Sequence, residues 1–178
     1  MLRWLLDHSK VRRARKAACT IISPMVAKSR HRLGGIPDAA WESPYLVGFM
    51  IMLITIIAKT EIGKVEGQTL CVVQARTWED ITGIRSGLIG EDVLLLNAAR
   101  NRDFENGCHN AVAFASLLIG NSVLSWQDRQ FDLGTNTTAP WSEQDDLSSL
   151  WEKLFDGHVF DHRYAVEAGV DQTSTQRL

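Results

Sequence analysis

The chain has few of the residues that mark a disulfide-rich or metal-binding fold. Its 178 residues include only three cysteines, and no two of them form a CxxC pair. An odd number of widely spaced cysteines argues against a disulfide framework and against a zinc finger. The sequence therefore predicts free thiols, buried in a protein of the reducing cytoplasm.

Motifs that identify a reaction are missing as well. The chain contains no GxSxG, no phosphate-binding GxxxxGK[ST], no GxGxxG, no internal repeat and no low-complexity tract. These motifs mark serine hydrolases and nucleotide-binding proteins in particular. Many active sites leave no local trace in a sequence, so their absence leaves the question of catalysis open and leaves the cofactor unknown. We favour a protein without catalysis of its own.

The longest uncharged run is too short for a typical membrane span. Sixteen uncharged residues lie between Glu42 and Lys59. As a helix they extend about 24 Å, whereas the hydrocarbon core of a bilayer is about 30 Å thick. Ser43 and Pro44 form a typical start of a soluble helix, with a capping serine and a proline in the first turn. The pattern therefore predicts a central core helix at about 44–62.

Apolar residues elsewhere recur at helical spacings, which predicts an all-α bundle of six or seven helices around that central helix. Residues 69–75 could form a strand, although a helix is favoured. Pro24 is expected to kink or end the first helix, and Gly157 to cap the last clear one. We predict an N-terminal arm at 1–33, a helical domain at 34–169 and a flexible tail at 170–178. The role of a long aperiodic segment, 121–141, stays open.

Charge is distributed unevenly along the chain. Residues 1–33 carry nine basic side chains and one acid, whereas the remaining residues carry ten basic and twenty acidic side chains. The N-terminal arm reads as a basic amphipathic helix. Seven residues of this arm are the predicted partner-binding or anion-binding residues: Arg12, Arg13, Arg15, Lys16, Lys28, Arg30 and Arg32.

Several partners would suit a basic helix on an acidic body. We expect the partner to be an acidic protein or an anionic membrane surface. We expect the chain itself to be cytoplasmic and at most peripheral to the membrane. A nucleic-acid backbone is a less favoured partner, and self-association stays open. The competing interpretation is a charged surface helix that pairs with acidic residues of its own domain.

A weaker pattern suggests a metal-dependent helical enzyme. His158 and His162 are four residues apart, so a helix would place both imidazoles on one face beside Asp161. Two ligands of one metal must share a face in this way. The pattern lacks the glutamate of HExxH, and two surface histidines near a helix start are the favoured explanation. A third hypothesis is a bundle that holds an apolar ligand beside the helix of Met50 and Met52.

Overall fold

A computed structural model of the protein describes residues 2–64, 67–84, 89–119 and 146–160, with side chains from residue 8 onward. Within these residues there are seven helices and no strand, which confirms the predicted all-α bundle. The helices are α1 (Leu2–Leu33), α2 (Asp38–Trp41), α3 (Pro44–Ile62), α4 (Gly67–Thr82), α5 (Ile89–Ala98), α6 (Arg102–Ile119) and α7 (Leu147–Trp151). A π-helical turn, Glu152–Asp156, continues α7.

Helix α3 is the centre of the bundle, as the sequence predicts. It begins at Pro44 after the N-cap Ser43 and ends where Gly63 adopts a φ of 71°. Among the described residues it is the one helix long and apolar enough to cross a membrane, but 72% of its apolar window is buried by the rest of the protein. Burial by neighbouring helices supplies the apolar environment that such a helix requires. This arrangement is compatible with a soluble protein.

Helices α3 and α6 approach each other closely through two glycines. A Cβ atom added to Gly107 would lie 2.1 Å from the carbonyl oxygen of Tyr45, and one added to Gly48 would lie 2.3 Å from that of Phe104. The thiol of Cys108 lies 3.6 Å from the carbonyl oxygen of Gly48. The two backbones therefore touch directly, and no side chain could stand between them at this crossing.

Aromatic rings pack around one end of this crossing. Phe49 of α3 and Phe114 of α6 lie with ring centroids 6.1 Å apart, and Trp151 of α7 packs against both at 5.8 and 5.5 Å. Trp151 also stacks on Phe155 with a centroid distance of 4.6 Å. Buried aromatic pairs add about 0.5–1.5 kcal/mol each beyond their area burial, so this cluster fixes α7 on the bundle.

Helix α1 lies along α3 and α4 rather than apart from them. Its buried stripe consists of residues three or four apart: Val11, Ala14, Ala18, Ile22 and Val26. Of the two outcomes predicted for Pro24, an end of the helix is wrong, because α1 continues to Leu33, and a kink stays a prediction. Burial of Ile22 and Val26 on either side of the exposed proline offsets the roughly 3 kcal/mol that an interior proline costs. The division into an arm at 1–33 and a domain from 34 stays a prediction.

Two further local predictions are decided by the structure. Residues 69–75 belong to α4 and are helical, since this segment packs Val73 into the core while Cys71 faces outward. Gly157 does not end the last helix, because its φ of −56° is right-handed and helical geometry continues past it. The predicted loop 121–141 and the tail 170–178 lie outside the described residues.

Replacing Gly107 by alanine should destabilise the protein, because the added Cβ would overlap the backbone of α3. Overpacking of a tight contact costs about 1–3 kcal/mol, and here it exceeds the helix-propensity gain of alanine over glycine, about 1 kcal/mol. Urea unfolding followed by circular dichroism measures the change. The matched control is Gly90→Ala in α5, where a Cβ would meet no atom within 4 Å. Equal midpoints for the two variants would contradict the close crossing.

Candidate anion-binding site

Of the seven predicted residues, three arginines pair with neighbouring helices. Arg13 forms an exposed ion pair with Glu61 of α3 at 2.8 Å. Arg15 forms a two-pronged contact with Asp80 of α4, in which Nη2 lies 2.6 Å from Oδ1. Arg30 donates from Nη2 to the carbonyl oxygens of residues 81 and 82 at the end of α4, at 3.0 and 3.2 Å. These contacts fix the sides of α1 to the bundle.

Arg32 belongs to a polar cluster that joins α1 to the π-helical turn. Its Nε donates to Asp156 at 2.6 Å, and its Nη1 donates to Glu152 at 2.7 Å. The buried hydroxyl of Ser29 donates to the same Asp156 and accepts a hydrogen bond from Nε1 of Trp151 at 2.8 Å. Asp156 is almost fully buried, and these donors satisfy its carboxylate oxygens.

Three predicted residues remain without such contacts. Arg12, Lys16 and Lys28 form no hydrogen bond or ion pair within the described part of the chain. Arg12 and Lys16 are four residues apart and therefore lie on one side of α1. Lys28 lies about 18 Å further along the helix at about 1.5 Å per residue. Of these three predicted residues without a described partner, two therefore lie in the N-terminal half of α1.

A cleft of about 160 Å³ lies beside this charge, between α1 and α4. It is lined by His8, Val11, Arg12, Arg15 and Arg76. Arg76 lies on the exposed side of α4 and makes no hydrogen bond or ion pair with the described residues. Sequence reasoning missed Arg76, because it is 61 residues beyond Arg15 and carries no motif. Only the packing of α1 on α4 brings the three guanidinium groups together.

Asp80 holds Arg15, one of the residues that line this basic cleft. The Arg15 guanidinium lowers the pKa of the Asp80 carboxyl, chiefly by hydrogen bonding, and the same contact raises the pKa of Arg15. The thiol of Cys19 lies 3.5 Å from the same carboxylate. Burial, together with a hydrogen bond to Asp80, raises the pKa of Cys19 to about 11. Arg15 is therefore charge-compensated, whereas Arg12 and Arg76 have no acidic partner among the described residues.

The predicted metal site is described only in part. His158 stacks flat on Tyr45, with ring centroids 3.4 Å apart and an interplanar angle of 4°. Burial raises the pKa of the Tyr45 hydroxyl to about 12, and this hydroxyl accepts a hydrogen bond from Asn110 at 2.9 Å. Asp161 and His162 lie outside the described residues, within which no group of three metal-ligating side chains occurs. The metal-dependent enzyme therefore stays a prediction.

The hypothesis of an apolar ligand beside α3 finds little support at the positions that suggested it. Met50 is fully buried and Met52 nearly so, both within the packed core. One turn earlier, Gly48 lets the α6 backbone approach too closely for any ligand to enter between the two helices. The basic cleft therefore remains the best candidate site.

Comparisons with known proteins identify no relative. No protein-family model matches the chain, and neither a curated protein nor a solved structure matches it.

Replacing Arg32 by alanine should lower stability, because Asp156 would lose its cationic partner in a nearly buried position. Loss of a hydrogen-bonded partner for a buried polar group costs about 1–3 kcal/mol. Thermal unfolding at pH 7 measures the loss. Lys28→Ala, one turn earlier and without a partner, should leave the midpoint nearly unchanged. Equal effects of the two variants would show that the Ser29–Arg32–Asp156 cluster contributes nothing to folding.

The thiol of Cys19 should react slowly with iodoacetamide at pH 8, because a pKa of about 11 leaves roughly one thiolate in a thousand. Asp80→Asn should accelerate this reaction, since it removes a group that raises the pKa and frees the charge of Arg15. Mass spectrometry of the labelled peptides measures the rate. The control is Glu61→Gln, which breaks the other α1 ion pair, and an equal acceleration there would contradict the Asp80 contact.

Proposed function

We propose that this protein is a non-catalytic helical docking protein that binds an acidic protein partner. The binding surface is the basic face, defined as Arg12 and Lys16 of α1 with Arg76 of α4. The observation that carries the proposal is that Arg12 and Arg76 line one cleft and, like Lys16 one turn from Arg12, have no partner within the described residues, whereas neighbouring arginines of α1 do. An acidic surface of another protein would supply the missing counter-charges.

A protein partner suits this face better than lipid does. An amphipathic helix binds a membrane by burying its apolar stripe at the boundary between headgroups and acyl chains. The stripe of α1, from Val11 to Val26, is already buried against α3 and α4. The described outer face of α1 therefore presents positive charge to a membrane but no apolar stripe that could insert into it. Charge alone attracts α1 to an anionic surface without inserting it.

Nucleic acid is less favoured because of the small number of available charges. Proteins that bind duplex DNA through its backbone commonly make about 6–10 phosphate contacts. The basic face has three cations without a partner in the part of the chain that the structure describes, and the pairs of Arg13, Arg15 and Arg32 would have to break to add these arginines. A short acidic segment requires no such rearrangement.

We place the protein in the cytoplasm, at most peripheral to a membrane. The three cysteines are free, and Cys71 is exposed to solvent. Exposed free thiols are typical of reducing compartments, where disulfides rarely persist. Acidic proteins of the cytoplasm are therefore the partners to test.

Reversing the charges of the basic face should weaken association with an acidic polypeptide. In the variant with Arg12→Glu and Lys16→Glu, binding to poly-L-glutamate in 0.1 M NaCl should fall roughly tenfold, since exposed ion pairs contribute up to about 1 kcal/mol each. Wild-type affinity should also fall as salt is raised. Fluorescence anisotropy of labelled poly-L-glutamate measures both effects.

The matched control carries Lys10→Glu and Lys28→Glu, which change the net charge equally on the same helix. Both lysines are exposed and neither lines the cleft, so binding should stay within about twofold of wild type. Equal losses in the two double variants would show attraction by net charge alone. Tighter binding to vesicles with 30% phosphatidylserine than to poly-L-glutamate would favour lipid and contradict the proposal.

A further inference from the structure

The basic cleft has the size and charge of a site for one compact anion. Its volume of about 160 Å³ is roughly ten times what one water molecule needs on the same measure. A tetrahedral oxyanion fits within that volume, whereas a flat acidic surface would touch only the rim. The cleft therefore distinguishes a single protruding group from a diffuse acidic patch.

The charges that line the cleft suit a dianion. Arg15 is compensated by Asp80, and Glu79 on the same helix also raises the pKa of Arg15 by its negative charge. Arg12 and Arg76 contribute two positive charges that no described residue compensates. One carboxylate would neutralise only one of them. A phosphate monoester carries a charge of about −1.5 to −2 at pH 7, which matches both.

The donor groups also suit phosphate. Guanidinium groups present planar pairs of N–H donors that bind phosphate oxygens two at a time, and these charge-assisted hydrogen bonds are stronger than neutral ones. Arg15 bonds to Asp80 through Nε and Nη2, so its Nη1 keeps donors for a ligand. Asp80 thereby orients Arg15 within the cleft while two other arginines supply the net charge.

We propose that this cleft binds a phosphorylated side chain of the partner protein, with Arg12 and Arg76 as the charge-bearing residues and Arg15 as an oriented donor. The inference rests on the proposed function, because it assigns the same face a specific chemical group. Lys16, one turn from Arg12, would contact acidic residues that flank the phosphate. Phosphorylation of the partner would then control docking.

The test is calorimetric titration of the full chain with an acidic pentapeptide that carries a central phosphoserine, and with its unphosphorylated counterpart. The phosphopeptide should bind at least about tenfold more tightly, as expected when charge-assisted hydrogen bonds are added. Arg12→Gln and Arg76→Gln should each weaken phosphopeptide binding about tenfold or more. Arg13→Gln is the control, because Arg13 neighbours Arg12 but pairs with Glu61. The affinity of this variant for the phosphopeptide should stay within about twofold of the wild-type value.

Inorganic phosphate and vesicles with 10% phosphatidic acid separate the sources of the phosphate group. Competition by inorganic phosphate that is lost in Arg76→Gln supports the cleft as the site. Preference for the vesicles over the phosphopeptide, equal affinity for the two peptides, or no effect of Arg76→Gln overturns the inference. If any of these results is obtained while poly-L-glutamate binding still depends on Arg12 and Lys16, the proposed function stands and only the phosphate assignment fails.

Discussion

The direct contact between the backbones of α3 and α6 is the constraint on which the architecture depends. Gly48 and Gly107 remove the two Cβ atoms that would hold the helices apart. Close approach lets α6 cover one side of an almost wholly apolar α3, while α1 and α4 cover others. Because α3 is buried on nearly all sides, a spacer at this crossing would open the core to water along its length. The position of α1, and therefore of the basic cleft, follows from this packing.

Packing of α1 on the rest of the bundle pairs several of its positive charges with other elements. In sequence, residues 1–33 form a strongly basic arm with seven equivalent candidates for partner binding. In the structure, four of the seven have partners in the bundle. Arg13 pairs with α3, and Arg32 pairs with the π-helical turn. Arg15 pairs with a carboxylate of α4, and Arg30 donates to carbonyl oxygens at the end of α4. The exposed pairs of Arg13 and Arg15 contribute at most about 1 kcal/mol each, so they position α1 more than they stabilise it. Arg12 and Arg76, which have no partner among the described residues, line a surface smaller than the whole arm.

Sequence patterns predicted best where one residue type decides the local structure. The bounds of α3 followed from Pro44 at its start and Gly63 at its end, and its burial followed from apolar residues on every face. Prediction failed where local preference and tertiary packing disagree. Pro24 breaks helices in isolation, but Ile22 and Val26 are buried on both sides of it. Gly157 can end a helix, yet here it keeps right-handed helical dihedral angles and the helix continues beyond it.

The sequence by itself determined the fold class, the central helix and the concentration of positive charge in the first thirty-three residues. Each of these depends on composition and period, which the chain displays locally. Only the tertiary structure decided which arginines keep a free charge, because pairing partners such as Asp80 and Asp156 are 65 and 124 residues away. It also decided the cleft, since Arg12 and Arg76 have no relation in sequence. The charge of a side chain follows from its residue type, whereas its pairing depends on which charged groups lie near it in space.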